Sequence, residues 1–171
     1  MNAKLTSGFT LIELMITITV GAILLGLAVP NFQALIKNNR MTTQANLFIG
    51  DLNLARSQAI KEGFNTFITA TNAGNIDNEF GPGWTIWIDR NADFAMDAGE
   101  QIRIANPMDA TLTLDNVQDV GQIQYLSTGL QPAAAGLRSF DLCDDRTAET
   151  GRQVSISAVG RVRINREFPC P

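Results

Sequence analysis

The sequence predicts an α+β fold: one long N-terminal helix, an apolar stem followed by an amphipathic half, packed on a head of antiparallel β-sheet. Three observations predict it. Residues Phe9–Val29 form an almost wholly apolar run. Beyond Pro30, apolar residues recur at helical spacing as far as Gly63. From Phe64 onward, short β-branched and aromatic segments alternate with turn residues. A helix followed by a run of strands is the pattern of a helix laid on antiparallel sheet.

As a helix the apolar run spans about 31 Å at ~1.5 Å per residue, enough for a bilayer core. Glu13 is its one charge. An ionisable group inside such a span is costly and usually functional. On a helix Glu13 shares a face with Phe9, four residues earlier. Cleavage between Gly8 and Phe9 would create an α-amino cation able to pair with Glu13, within one helix or between neighbouring subunits. Two plainer readings fit the same segment. One is an ordinary signal peptide, with Lys4 as its basic residue and Gly26-Leu27-Ala28 as a small-x-small cleavage site; the other is an uncleaved anchor. Glu13 argues against both, because neither an h-region nor a lipid-facing helix gains from a mid-span carboxylate.

After Pro30 the apolar positions are Phe32, Leu35, Ile36, Ala45, Phe48, Ile49, Leu52, Ala55 and Ala59. Lys61 stands in the last turn and Gly63 is a natural stop. Pro30 therefore kinks a helix running from about Phe9 to Glu62 and does not end it. Eight strand-like segments follow: Phe64–Ala70, Trp84–Ile88, Gln101–Ile104, Thr111–Leu114, Gln122–Leu126, Phe140–Cys143, Gln153–Ser157 and Arg161–Ile164. Gly81-Pro82-Gly83, Asn106-Pro107, Ser127-Thr128-Gly129 and Val159-Gly160 punctuate them.

Composition narrows the function. The chain has 171 residues and a formal net charge of −4, which disfavours an undirected nucleic-acid binder. Without leader and stem about 140 residues remain, the size of one domain. There is no histidine, so the commonest general base and metal ligand is missing. The serines have no evident base beside them. Neither an enzymatic activity nor a cofactor is expected.

The stretch Lys4-Leu5-Thr6-Ser7-Gly8-Phe9-Thr10-Leu11-Ile12-Glu13 resembles the class III leader junction of type IV pilins and type II secretion pseudopilins. The resemblance implies cleavage after Gly8 by prepilin peptidase, N-methylation of Phe9, and assembly guided by Glu13. It implies three segments: a leader at 1–8, a transmembrane and assembly stem at 9–30, and a globular pilin head at 31–171. Phe48-Ile49-Gly50-Asp51-Leu52-Asn53-Leu54-Ala55-Arg56-Ser57-Gln58-Ala59-Ile60 is similar to the segment that closes the first helix in the GspH/FimT family of minor pilins. Gly83-Trp84-Thr85-Ile86-Trp87-Ile88-Asp89 is similar to a strand of the same family. This family implies other pilins or pseudopilins as partners through the N-terminal helix. It implies a single-pass location in the bacterial inner membrane before assembly, then the pilus, periplasm or cell surface. In an exported domain Cys143 and Cys170 read as a disulfide sooner than as a metal or catalytic pair. It would contribute about 3 kcal/mol on the loop-entropy account. Two free thiols are the alternative.

Two charged segments complete the candidate sites. Asp89, Asn91, Asp93, Asp97 and Glu100 fall at positions 1, 3, 5, 9 and 12 of an EF-hand-like calcium loop. Phe94 occupies the sixth position, where the sharp turn favours glycine, and the flanks read as strands. The loop therefore reads first as a hairpin connection and only weakly as a calcium site. After Thr150 the charge balance turns basic: Arg152, Arg161, Arg163 and Arg166 face the single acid Glu167. On a strand Arg161 and Arg163 share one face at roughly 7 Å, close to the step between backbone phosphates. Gly160-Arg161-Val162-Arg163 resembles a motif of the branch of this family linked to DNA uptake in natural transformation. That likeness implies contacts from Arg161 and Arg163 to the phosphates of double-stranded DNA, without sequence readout. The plainer alternative is an edge strand whose arginines are solvated or paired with Asp144 and Asp145. The function expected is that of a minor type IV pilin with DNA contact at its C-terminal segment. The alternative is a structural pseudopilin of a type II secretion system.

Overall fold

The computed structural model describes residues 8–74, 77–146 and 150–170. The chain forms two compact units, one ending at Asn39 and one running from Arg40 onward. A single helix, α1 (Leu11–Glu62), supplies the first unit and opens the second.

The helix begins two residues later than the apolar pattern suggests. The cause is a capping box. Thr10 Oγ1 accepts the N–H of Glu13 at 3.3 Å, and Glu13 Oε2 accepts the N–H of Thr10 at 3.2 Å. Phe9 therefore precedes the helix, and the expected shared face of Phe9 and Glu13 does not form. Within the stem, Thr17 and Thr19 donate their hydroxyls to the carbonyls of Leu14 and Met15. Asn31, next to Pro30, donates its amide to Leu27. These polar side chains are satisfied by the helix itself, as a lipid surrounding requires. The helix is long and apolar enough to cross a membrane, with a mean hydropathy of 2.3 over its most apolar window.

In the second unit the buried apolar positions of α1 are Met41, Ala45, Phe48, Leu52, Ala55 and Ala59, at steps of four and three residues. Phe32, Leu35 and Ile36, expected in the same stripe, are exposed. The helix ends as its sequence predicts. Gly63 takes φ 77° and its N–H donates to Ala59 at 3.0 Å.

Eight strands follow, close to the expected segments: β1 (Asn65–Ala70), β2 (Trp84–Asp89), β3 (Gln101–Ala105), β4 (Leu112–Asn116), β5 (Gln122–Tyr125), β6 (Arg138–Asp144), β7 (Thr150–Ile156) and β8 (Val162–Pro169). They build two antiparallel sheets, ordered β3-β2-β1-β5 and β4-β6-β7-β8. Phe48 joins them at the centre, with ring contacts to Trp84 and Phe140 at 5.1 Å and to Phe80 at 5.7 Å. Ile68, Ile86 and Ile123 of the first sheet and Leu114, Leu142 and Val154 of the second complete this core. Trp84 donates its indole N–H to the buried Asp51 of α1 at 2.9 Å, and Arg103 reaches the other carboxylate oxygen at 3.2 Å. Burial pushes Asp51 above the ordinary carboxylate range, against the pull of Trp84 and Arg103.

Candidate functional site

At the start of the stem, Gly8, Phe9 and Thr10 lie outside the helix and are exposed. The leader residues before Gly8, Lys4 among them, lie outside the described residues. Glu13 is exposed in the first turn, where a carboxylate also complements the positive end of the helix dipole. Thr10, whose N–H and hydroxyl both reach Glu13 Oε2, is a partner the sequence reading missed. The Thr-x-x-Glu spacing before an apolar run was the available signal.

In the head, Arg161 immediately precedes β8, and β8 is an edge strand, paired among the described residues with β7 alone. Val162 and Ile164 turn inward onto the core. Alternation therefore sends Arg161, Arg163 and Asn165 to the opposite face, where both arginines are exposed. Among the described residues, no ion pair or hydrogen bond engages the guanidinium of Arg161, Arg163 or Arg166. Asp144 is taken instead by Arg146, at 2.6 Å.

Arg152 differs from the other three arginines in being engaged. Arg152 shares its parity with the inward-facing Val154 and Ile156. Its Nη1 donates to the carbonyls of Gly151 and Arg166, both at 2.8 Å. Here β7 and β8 shift register, so that Arg152 stands against the stretch Arg166–Glu167. Arg161 and Arg163 share one parity along the strand and are exposed; Arg152 is tied into the backbone.

The turn carrying the arginine pair is fixed from behind. Gly160 takes φ 73°, and a Cβ there would strike the carbonyl of Gly129. Arg56 of α1 donates from Nε to Gly129 and from Nη2 to Val159, each at 3.0 Å. Gln131 N–H adds a bond to Ala158 at 3.0 Å. Ser157 and Arg161 are joined by backbone and hydroxyl bonds. Arg56 is thus a positioning residue for the hairpin. The sequence reading placed it only on the polar side of the helix, because its partners lie more than seventy residues away.

Cys143 and Cys170 form a disulfide with Cα atoms 5.9 Å apart. It fastens the end of β8 to β6 across Gly151, where a Cβ would strike Cys170 Sγ and the carbonyl of Leu142.

The acidic segment joins β2 to β3 as a hairpin connection. Its carboxylates cap its own amides. Asp89 accepts from Asp93 and Phe94, and Glu100 accepts from Arg90 at 2.7 Å and Asp97 at 3.0 Å. Asn91 bridges Asp93 and Asp97. Phe94 takes φ 62°, the left-handed conformation that a glycine would supply, and its ring meets Phe67 edge-on at 6.2 Å.

Comparison with known proteins places this architecture. The family described as Type II transport protein GspH matches residues 44–160. The chain belongs to this family. The prokaryotic N-terminal methylation motif matches residues 4–29. Among solved structures, the head and helix are similar to the type IV minor pilin FimU of Pseudomonas aeruginosa, with 25% identity and a TM-score of 0.63, over 75% of this chain and 90% of that one. They are also similar to the minor pseudopilin EpsH from the Type 2 Secretion System of Vibrio cholerae, with 12% identity and a TM-score of 0.55, over 77% of this chain and 99% of that one. At that identity EpsH shares the fold alone. A sequence search of curated proteins finds no match. This GspH-family chain is therefore a minor pilin or pseudopilin by family, built on the long helix and antiparallel head of the type IV pilin fold.

Proposed function

We propose that this chain is a minor subunit of a type IV pilus, processed at Gly8–Phe9 and held in the inner membrane until its stem enters a fibre. One observation carries this reading. The stem exposes Phe9, Leu11, Ile12, Leu24 and Leu25, among other large apolar side chains, and each is more than half accessible. An apolar surface of that kind needs lipid or like stems around it. After cleavage, the new amine of Phe9 would lie one residue from the Thr10–Glu13 box, so the carboxylate is already poised for it. The likeness to FimU favours a pilus over a secretion piston; the pseudopilin reading keeps the fold in its favour through EpsH. The role in this reading is that of a structural subunit. Replacing Glu13→Gln in a strain lacking the native protein should leave the chain in the membrane and out of sheared fibres. Normal incorporation would defeat the stem argument.

A further part of the proposal is DNA contact at Arg161 and Arg163, favoured by two exposed, unengaged guanidinium groups on a braced turn. The full chain in detergent, titrated with duplex DNA across a salt series, tests it. Arg161→Gln with Arg163→Gln should weaken binding and lower the salt slope by about 2, since each arginine would neutralise one phosphate. Unchanged affinity and slope would remove DNA from the function.

A further inference from the structure

A second acidic assembly lies apart from the β2–β3 loop. Glu79 comes from the segment before β2, Asp115 from β4, and Asp119 from the turn after β4. One carboxylate oxygen of each lies within 4.8 Å of the other two. Glu79 is only 1% exposed. Its Oε2 accepts the N–H of Asn116 at 3.0 Å, but its Oε1 has no donor. The buried Oδ1 of Asp115 has none either. Among the described residues, no arginine or lysine pairs with any of the three.

The surroundings add charge of the same sign. Asp141 of β6 stands directly opposite Asp115 in the register of the second sheet. Asp77, Asp115 and Asp141 line a groove of about 210 Å³. Gln153 is the nearest relief, donating its amide to Asp141 at 2.8 Å. Like charges facing each other across a ladder are destabilising, and a buried carboxylate oxygen without a donor keeps its full desolvation cost. Two agents can offset this: a shared proton or a cation. The three carboxylates come from separate segments and converge on one point, with the orphaned Oε1 of the buried Glu79 among them, which is the arrangement a shared cation needs.

We propose that Glu79, Asp115 and Asp119 bind a hard divalent cation of the calcium type. Ca²⁺ takes oxygen ligands at about 2.3–2.6 Å in irregular sets completed by water. Two ligands of one such ion can lie up to about 5 Å apart, which the three oxygens satisfy. The donor set contains no thiolate or imidazole, which disfavours zinc-type ions, and Mg²⁺ demands a stricter octahedron. The ion would neutralise the two orphaned oxygens and tie the segment before β2 and the turn after β4 to the second sheet.

Calorimetric titration of the full chain in detergent with CaCl₂ and MgCl₂ at pH 7, alongside thermal unfolding, tests this. The expected result is one Ca²⁺ per chain, a rise in Tm with Ca²⁺, and a smaller response to Mg²⁺. Asp119→Asn, at an exposed position, should lower Ca²⁺ affinity at least about tenfold, since affinity follows ligand charge. Glu79→Gln keeps an acceptor for Asn116 and should do the same, which covers the case in which the first variant misfolds. Asp93→Asn with Asp97→Asn, in the β2–β3 loop, should leave the site unchanged. The proposal is overturned by an absence of heat and Tm shift at millimolar Ca²⁺, by parental affinity in Asp119→Asn or Glu79→Gln, or by a response lost only in the loop variant.

Discussion

The two halves of α1 solve opposite problems with one backbone geometry. Up to Asn39 the helix closes its polar groups on itself and leaves its apolar side chains open, with Glu13 at an exposed first turn. From Met41 to Ala59 it does the reverse, burying an apolar stripe and an acid, Asp51, in the head. The first half leaves an apolar surface open; the second half is covered by the head. The lesson is that the open surface of the stem and the stability of the head are separable in this molecule and should respond to different substitutions.

The largest expected effect tests that separation. Phe48 has no accessible surface and touches Phe80, Trp84 and Phe140. Phe48→Ala should lower the unfolding free energy of the head by about 3–5 kcal/mol, the range for an emptied aromatic site. Denaturant unfolding followed by the fluorescence of the tryptophans would read it. Leu24→Ala, in the stem, should move the same transition by no more than about 0.5 kcal/mol. A comparable loss from both would mean that the two halves are not independent.

Next in size is the disulfide. Cys143→Ser with Cys170→Ser should destabilise the head by about 3 kcal/mol through the freed loop of 27 residues. Because the bridge holds the end of β8, this variant sharpens the comparison within the head. Hydrogen exchange should quicken in β8 before it does in β1 or β2. Uniform quickening would show that the bridge acts only on the unfolded chain.

What the sequence made legible follows the range of the interactions. Gly63 as a stop, the eight strands and the Cys143–Cys170 pair rest on local turn chemistry, alternation or compartment, and all appear in the structure. The stem was legible from its apolar run, although its start was placed at Phe9 because the box between Thr10 and Glu13 went unread. Less visible was the division into two sheets, since the crossing of β4 to β6 and the return of β5 to β1 are long-range choices. Phe32, Leu35 and Ile36 fit the helical spacing equally well, but periodicity cannot say where a partner surface ends. The arginine pair was legible as a two-residue alternation; the brace from Arg56 and the acids of Glu79, Asp115 and Asp119 were not, because each joins segments distant in the chain.

The smallest effect concerns the acid that the second half of α1 buries. Asp51 has its pKa raised in the folded state by burial, with Trp84 and Arg103 pulling it back. A group raised on folding contributes fully below its unfolded value, near 3.8, and that contribution fades as pH rises through the folded pKa. Acidification from pH 7 toward 4 should therefore stabilise the parent more than Asp51→Asn, whose side-chain carbonyl still accepts the indole N–H of Trp84. Asp115 and Asp141 also titrate upward, so the informative quantity is the difference between the two pH profiles, in which their contributions cancel. Parallel profiles would mean that burial and the two partners balance. A parent that loses ground on acidification would mean that the Arg103 pair, at 3.2 Å, outweighs the burial of Asp51. Either outcome would remove the contrast between an exposed acid at one end of the helix and a costly buried one in its second half.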